Sequence, residues 1–286
     1  LPLTTLRQIL GHLFPPSVID PDWQKIACAL AARGAFSVIT GGPGTGKTTT
    51  VVRLLALLQA LALTAPAPSK TARPLRIRLA APTGKAAARL NASIAGTVAN
   101  LPLAELEQAG LCDAATLRAS IPLSVTTLHR LLGSRPDTRR LRHHAGNPLA
   151  LDVLVIDEAS MIDLEMMAAV LAALPAQARL ILLGDKDQLA SVEAGAVLGQ
   201  LCQRAARGHY TPATRDWLAA VSGAGTVRGA GGGESAACAT QARPDGSGLE
   251  GLPLANPGLE DLIDPAGTAL DQAVVMLRHS HRFAAD

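Results

Sequence analysis

Apolar residues in this chain follow two rhythms, one close to the helical period and one of short unbroken runs, and the alternation between them predicts the elements. Leu3, Leu6, Ile9, Leu10 and Leu13 recur at helical spacing and stop at Pro15 and Pro16. Residues 1–20 therefore read as a linker or the remnant of a preceding domain. Asp22 opens a second helix with Ile26, Ala27 and Leu30 along one stripe. Phe36 to Thr40 is a β-prone run that breaks into a glycine-rich loop and then a helix. The apolar stretch Leu54–Leu63 belongs to that helix and is interrupted by Gln59. A Pro- and Ala-rich link, 65–74, leads to a strand over Leu75–Ala81 and a helix bearing Arg89. Helical periodicity with a basic stretch, Arg135 to His144, fills an inserted segment at about 92–147.

Leu151–Ile156 is almost continuously apolar, as expected of a central parallel strand buried on both faces. A helix follows over Met161–Leu174, then a similar strand over Arg179–Leu183, then helical periodicity over Val192–Ala205. Short buried strands alternating with helices predict an α/β fold of three layers around a mostly parallel sheet, with residues 21–207 as one lobe. Between 208 and 272 the composition shifts to Gly, Ala, Pro and Ser. Such a segment buries too little apolar surface to offset its chain entropy. It is expected to be flexible, with at most one short helix at Thr214–Val221. A strand at Ala273–Leu277 restores order.

Composition narrows the class. With 286 residues, 48% of them hydrophobic, the chain can bury a substantial core, but aromatics are only 2%, so Ala, Leu and Val must build it. A net charge of +3 is too mild to imply nucleic-acid binding by itself. Lysine placement says more: of five lysines, Lys47, Lys85 and Lys186 sit in glycine-containing strand-end segments. Cys28, Cys112, Cys202 and Cys238 are widely spaced without a C-x-x-C pair, as in a reduced, cytoplasmic protein without structural metal. No apolar run reaches the roughly 20 residues that cross a membrane, and no secretory leader pattern is present. The chain starts at Leu1, so a fragment is expected.

The chemistry concentrates at strand ends. Gly41, Gly46, Lys47 and Thr48 satisfy G-x-x-x-x-G-K-[ST]. Within Gly41, Gly42, Pro43, Gly44, Thr45, Gly46, Lys47, Thr48 and Thr49, glycines allow backbone N–H groups to turn onto phosphate. The helix start adds partial positive charge, Lys47 a full one, and Thr48 a hydroxyl for Mg²⁺. Asp157 and Glu158 end the Leu151–Ile156 strand, where ligands bind in open α/β sheets. Asp157 suits the metal shell and Glu158 the orientation of an attacking water. Gln188, after the next strand, can bond a γ-phosphate. Gln24 can pair with an adenine edge or simply face solvent. Pro82, Thr83, Gly84 and Lys85 suit a nucleic-acid phosphate, or a helix cap beside an exposed lysine. The basic stretch from Arg135 is a solvated loop or a phosphate contact.

Taken together, DWQ at Asp22, GGPGTGKTTT at Gly41, APTGKAAARL at Ala81, TLHRLLG at Thr127, VIDEASMID at Val155, GDKDQLASVEAGAVLG at Gly184 and SHRF at Ser280 resemble, in order, the motifs of superfamily 1 DNA helicases. Within them the chain is most similar to the RecD-type alpha subunits of exodeoxyribonuclease V. The resemblance implies a RecA-like P-loop ATPase fold and the cofactors ATP and Mg²⁺. It further implies 5′ to 3′ translocation on single-stranded DNA and a place with RecB- and RecC-type subunits at double-strand DNA ends, with no membrane. It makes Arg282 an arginine finger and adds His129 to the DNA contacts. It also implies that residues 273–286 begin a second RecA-like lobe, so that this chain alone is expected to bind nucleotide weakly and not to unwind DNA. Two other readings remain open at this stage: a nucleotide-gated binding module without turnover, and a generic P-loop kinase or transporter ATPase.

Overall fold

The computed structural model describes residues 2–15, 21–64, 73–135, 138–188, 196–223 and 258–279. In chain order these form α1 (Leu3–Leu13), α2 (Trp23–Arg33), β1 (Phe36–Gly41), α3 (Lys47–Leu63), β2 (Ile77–Ala81) and α4 (Gly84–Ala99). Two short helices follow, α5 (Leu103–Gln108) and α6 (Ala114–Ser120), then β3 (Val125–Thr127) and α7 (Leu128–Leu132). A small hairpin pairs β4 (Ser134–Arg135) with β5 (Thr138–Leu141). The remainder is β6 (Val153–Ile156), α8 (Leu164–Ala173), β7 (Arg179–Gly184), α9 (Ala196–Leu201), α10 (Pro212–Ser222) and β8 (Val274–Leu277).

The main sheet has six strands in the order β3-β2-β6-β7-β1-β8, all parallel. Its strands read as unbroken apolar runs because both faces are covered, and the two-residue pleat sorts alternate side chains to opposite layers. Ile39, Leu79, Val155, Ile181 and Val275 join the core under α1–α6 and α10. Val38, Ala80, Ile156, Leu182 and Val274 join the core under α7, α8 and α9. The expected three-layer α/β fold with a parallel sheet is what the chain adopts.

Four of the expected segments contribute described residues to this sheet or its cores. The residues expected as a domain remnant include α1, whose Leu6, Ile9, Leu10 and Leu13 are fully buried against α3 and α10 in the same core. Residues 273–286 were expected to open a second lobe, yet β8 pairs with β1 as the edge strand of this sheet, Gly41 opposite Leu277. Its apolar residues fill both cores, a burial the local sequence does not reveal. Within 208–272, the expected short helix is α10, with Thr211 as its cap, and residues 258–273 are folded back. There the Tyr210 hydroxyl donates to Val274 O at 2.9 Å, and Arg204 bridges Asp264 and Asp271 at 2.9 and 2.8 Å. Part of the expected inserted segment, too, belongs to the sheet, since β3 lies beside β2.

Gln59, which interrupts the apolar face of α3, is fully buried and ties the entry to β2. Its Oε1 accepts from Leu75 N at 2.8 Å, and its Nε2 donates to Leu75 O at 3.0 Å and Ser120 O at 2.8 Å. Replacing it by leucine strands one buried N–H and two carbonyls. Gln59→Leu is expected to lower unfolding free energy by roughly 1–3 kcal/mol in chemical denaturation despite its greater hydrophobicity; unchanged stability would contradict the role of this amide.

Candidate nucleotide and nucleic-acid sites

Strand order decides which motifs meet. β6, β7 and β1 are neighbours, so Asp157–Glu158, the 184–188 turn and the glycine loop emerge side by side at the carboxyl edge of the sheet. β2 and β3 occupy the other half and deliver Pro82–Lys85 and His129. Residues proposed for nucleotide and residues proposed for DNA are therefore separated across one edge.

The loop is built for close approach. Gly44 and Gly46 have φ of 83° and 78°, the left-handed region open to glycine, and Gly46 caps α3. Gly41 has no room for a side chain: a Cβ would meet Thr45 Oγ1 at 2.7 Å and Leu277 Cβ at 2.9 Å. Thr45 Oγ1 donates to Gly42 O at 2.9 Å, closing the turn. Lys47 Nζ donates to Gly41 O at 2.6 Å and Gly42 O at 3.1 Å, which folds the ammonium over the loop. Thr48 and Thr49 lie half-buried in the first turn of α3, and Pro43 is exposed.

Gln24 lies against this loop. Asp22 caps α2 by accepting from Gln24 N and Lys25 N, which fixes the glutamine's direction. Its Nε2 then donates to Thr45 O at 3.2 Å, while its Oε1 accepts from Arg53 at 3.4 Å. Arg53 in turn lies over the Phe14 ring at 4.7 Å. The solvent-facing alternative for Gln24 does not describe this position.

Asp157 and Glu158 leave β6 in contrasting states. The Asp157 N–H remains on the sheet, donating to Ala80 O. Burial pushes its carboxyl above the ordinary carboxylate range and the charge of Glu158 adds to this, while the Glu158 backbone N–H, Lys47 and Arg89 act in the opposite direction. Glu158 adopts φ 52°, ψ 39°, a left-handed conformation uncommon for a non-glycine residue. Strain of this kind persists where surrounding packing enforces it, often at functional sites. Its Oε1 lies 4.0 Å from Arg89 on α4, linking the two halves of the edge.

The turn after β7 is fastened to β1, because Lys186 N donates to the buried Thr40 Oγ1 at 3.0 Å. Gln188 faces β6 instead: Ser160 Oγ donates to its Oε1 at 3.1 Å. The sequence reading singled out neither Thr40 nor Ser160, although Thr40 ends the run before the glycine loop and Ser160 stands within VIDEASMID. Arg278 was missed as well; it follows β8, lies over Trp23 at 5.0 Å and donates to Ala206 O at 2.8 Å.

On the β2–β3 half, Thr83 caps α4 through its Oγ1, which accepts from Ala86 N, with Pro82 half-buried and Gly84 and Lys85 exposed. His129 is exposed on α7. The cap and the exposed lysine coexist, so the two readings of this segment are compatible. Arg282 lies outside the described residues. The basic stretch folds in part into the β4–β5 hairpin. Burial pushes the Cys202 thiol up to about 11 and the Cys28 thiol up further, so neither is a ready nucleophile or ligand. Among the described residues no helix is long and apolar enough to cross a membrane.

A model of the AAA domain family matches residues 24–194, which contain the glycine loop, Pro82–Lys85, Asp157–Glu158 and Gln188. The chain is 50% identical over 198 residues to the RecBCD enzyme subunit RecD of Haemophilus influenzae, covering 69% of this chain and 29% of that one. It is 52% identical over 181 residues to the RecBCD enzyme subunit RecD of Mycolicibacterium smegmatis, covering 63% and 30%. To the ATP-dependent RecD2 DNA helicase of Deinococcus radiodurans it is 37% identical over 168 residues, covering 59% and 18%. Each match thus spans less than a third of the relative's length.

The electrostatics of Asp157 make a test of its burial. A raised carboxyl pKa means that the folded chain holds the proton more tightly than the unfolded one, so this stabilisation is present at low pH and is lost as pH rises through the raised value. Asp157→Asn removes the ionisation. It is expected to melt a few degrees above the parent at neutral pH, with the gap closing as pH falls toward the ordinary carboxylate value of about 3.9. A lower melting temperature at neutral pH, or a gap independent of pH, would refute this.

Proposed function

The chain belongs to the AAA domain family, and on that footing we propose that it is the nucleotide-hydrolysing lobe of a DNA helicase motor of RecD type. The observation that carries this reading is the adjacency of β6, β7 and β1, which gathers a phosphate loop, two carboxylates and a glutamine at one edge beside a basic, threonine-rich half. A generic kinase or transporter ATPase has no need of Pro82–Lys85 or His129 at the strands beyond.

The residue chemistry fits ATP and Mg²⁺. Left-handed glycines, a helix start and a mobile ammonium suit the polyphosphate, and a hydroxyl with a buried carboxylate suits a hard cation. In this reading Gly41–Thr49 hold the phosphates, with Lys47 exchanging its loop carbonyls for phosphate oxygens, and Thr48 and Asp157 hold the metal. When bound, the metal neutralises charge developing on the transferred phosphoryl group. Glu158, aimed by its left-handed backbone, orients a water and takes its proton. Gln188, held by Ser160, senses the terminal phosphate. Gln24 borders the loop on the base side, and Arg282 serves as the arginine finger.

Pro82, Thr83, Gly84, Lys85 and His129 would grip single-stranded DNA, with Arg89 and Glu158 as the link between grip and hydrolysis. The 5′ to 3′ polarity, the RecB- and RecC-type partners and the role at double-strand ends belong to the same proposal, supported by the similarity to RecD subunits.

The deciding experiment is steady-state hydrolysis of ATP by this chain with and without single-stranded DNA. Stimulation by DNA, falling by about a hundredfold or more in Lys47→Ala, is expected. Hydrolysis that is absent, or present but indifferent to DNA, would leave the non-hydrolysing, nucleotide-gated binding module as the better account. A finer outcome concerns the sensor: Ser160→Ala is expected to lower kcat about fivefold, one lost hydrogen bond, with nucleotide affinity within about twofold of the parent. A change in affinity with kcat intact would assign Ser160 to binding instead.

A further inference from the structure

A second polar recess lies on the face of the sheet that carries α7 and α8, at its β3 edge. It is a cleft of about 320 Å³ lined by Arg78, Thr126, Arg130 and His143, with Leu149 and Leu151 among its apolar walls. In strand order β6 and β7 stand between β2 and β1, so at the usual strand spacing the cleft is about 14 Å or more from the phosphate loop.

Arg78 is chemically out of place. It is an exposed charge between buried Ile77 and buried Leu79, on the same strand face as buried Ala80. A parallel strand inside a three-layer fold normally carries apolar residues at such positions. Its neighbours Arg73 and Arg76 share the carboxylate of Asp152 at 2.9 Å each. Among the described residues no carboxylate pairs with Arg78 or with Arg130 on α7.

Thr126 supplies an independent sign. Its Oγ1 is buried and has no hydrogen-bond partner among the described residues. An unpartnered buried hydroxyl is costly, and where one persists it asks for an explanation such as an ion. Thr126 shares the lining of this cleft with Arg78 and Arg130, neither paired with a carboxylate among the described residues, and with His143, whose Nδ1 is 3.3 Å from Asn147 O. Planar guanidinium donors match the oxygens of a phosphoryl group in bidentate fashion, and a hydroxyl donor completes such a site.

We propose that this cleft binds a phosphoryl group at a site separate from the glycine loop. The phosphate is carried either by a free compound the size of pyrophosphate or by a nucleic-acid backbone, and both present the same oxygens.

The test uses inorganic pyrophosphate as probe in the Lys47→Ala background, which weakens binding at the glycine loop, and follows the His143 ring resonances, assigned with His143→Gln. Saturable shifts of His143 are expected. The pyrophosphate dissociation constant is expected to rise about tenfold in Arg78→Gln and in Arg130→Gln, and several-fold in the near-isosteric Thr126→Val. Arg130 is an exposed helix residue, so its variant reports even if Arg78→Gln misfolds. Adding a single-stranded oligothymidylate separates the sources: competition assigns the phosphate to nucleic acid, and undisturbed pyrophosphate binding assigns it to a free compound. Absence of His143 shifts at millimolar pyrophosphate, shifts that survive Arg130→Gln, or tighter binding of an acidic peptide than of either phosphate probe would overturn the proposal.

Discussion

The pairing of β1 between β7 and β8 is the constraint on which the rest depends. With Thr40 opposite Gly184 and Gly41 opposite Leu277, the last residues of β1 are gripped from both sides just before the chain turns into the glycine loop. That contact leaves no space for a side chain at Gly41 and sets the direction in which α3 departs. It also brings the turn after β7 within reach of Thr40. A loop that must present N–H groups to an anion gains precision from such flanking order, because its own backbone has little packing to hold it.

Polar groups inside the core follow from the same need. The buried polar residues with named partners fasten irregular chain to regular chain: Thr40 holds the 184–188 turn, Gln59 holds the approach to β2, and Ser160 holds Gln188. Asp271 holds the returning segment through Arg204 and Thr268. An apolar residue of similar size fills space at these positions but lets the attached loop drift. The sheet supplies rigidity, and these side chains carry it to the edge where the chemistry is proposed.

Asp157 and Glu158 show the opposite balance, in which stability is spent for position. One carboxyl is buried enough that ionisation is disfavoured, and its neighbour holds a left-handed backbone. Both conditions cost free energy in the chain by itself. The sequence could name the pair, since an apolar run ending in two acids is distinctive, but burial and backbone strain arise from the turn that follows β6 and from α4 across the edge.

The sequence by itself determined the element types, the parallel character of the sheet and the place of the glycine loop and the acidic pair at strand ends, because apolar period and glycine-rich strand ends are local signals that short segments carry whole. It did not show where α1, the folded-back residues 258–273 and β8 pack, because their burial depends on surfaces far away in the chain: α1 has a helical stripe but no local sign of what covers it, and β8 is four residues whose partner, β1, is distant in sequence. Strand order was equally beyond it. Nothing local says that β6 and β7 insert between β2 and β1, yet that insertion is what separates the glycine loop from Pro82–Lys85 and His129 along the edge. It also leaves Arg78 and Thr126 facing a cleft that no motif announced. Hydrogen bonding between distant strands, driven by burial on both faces, made those choices.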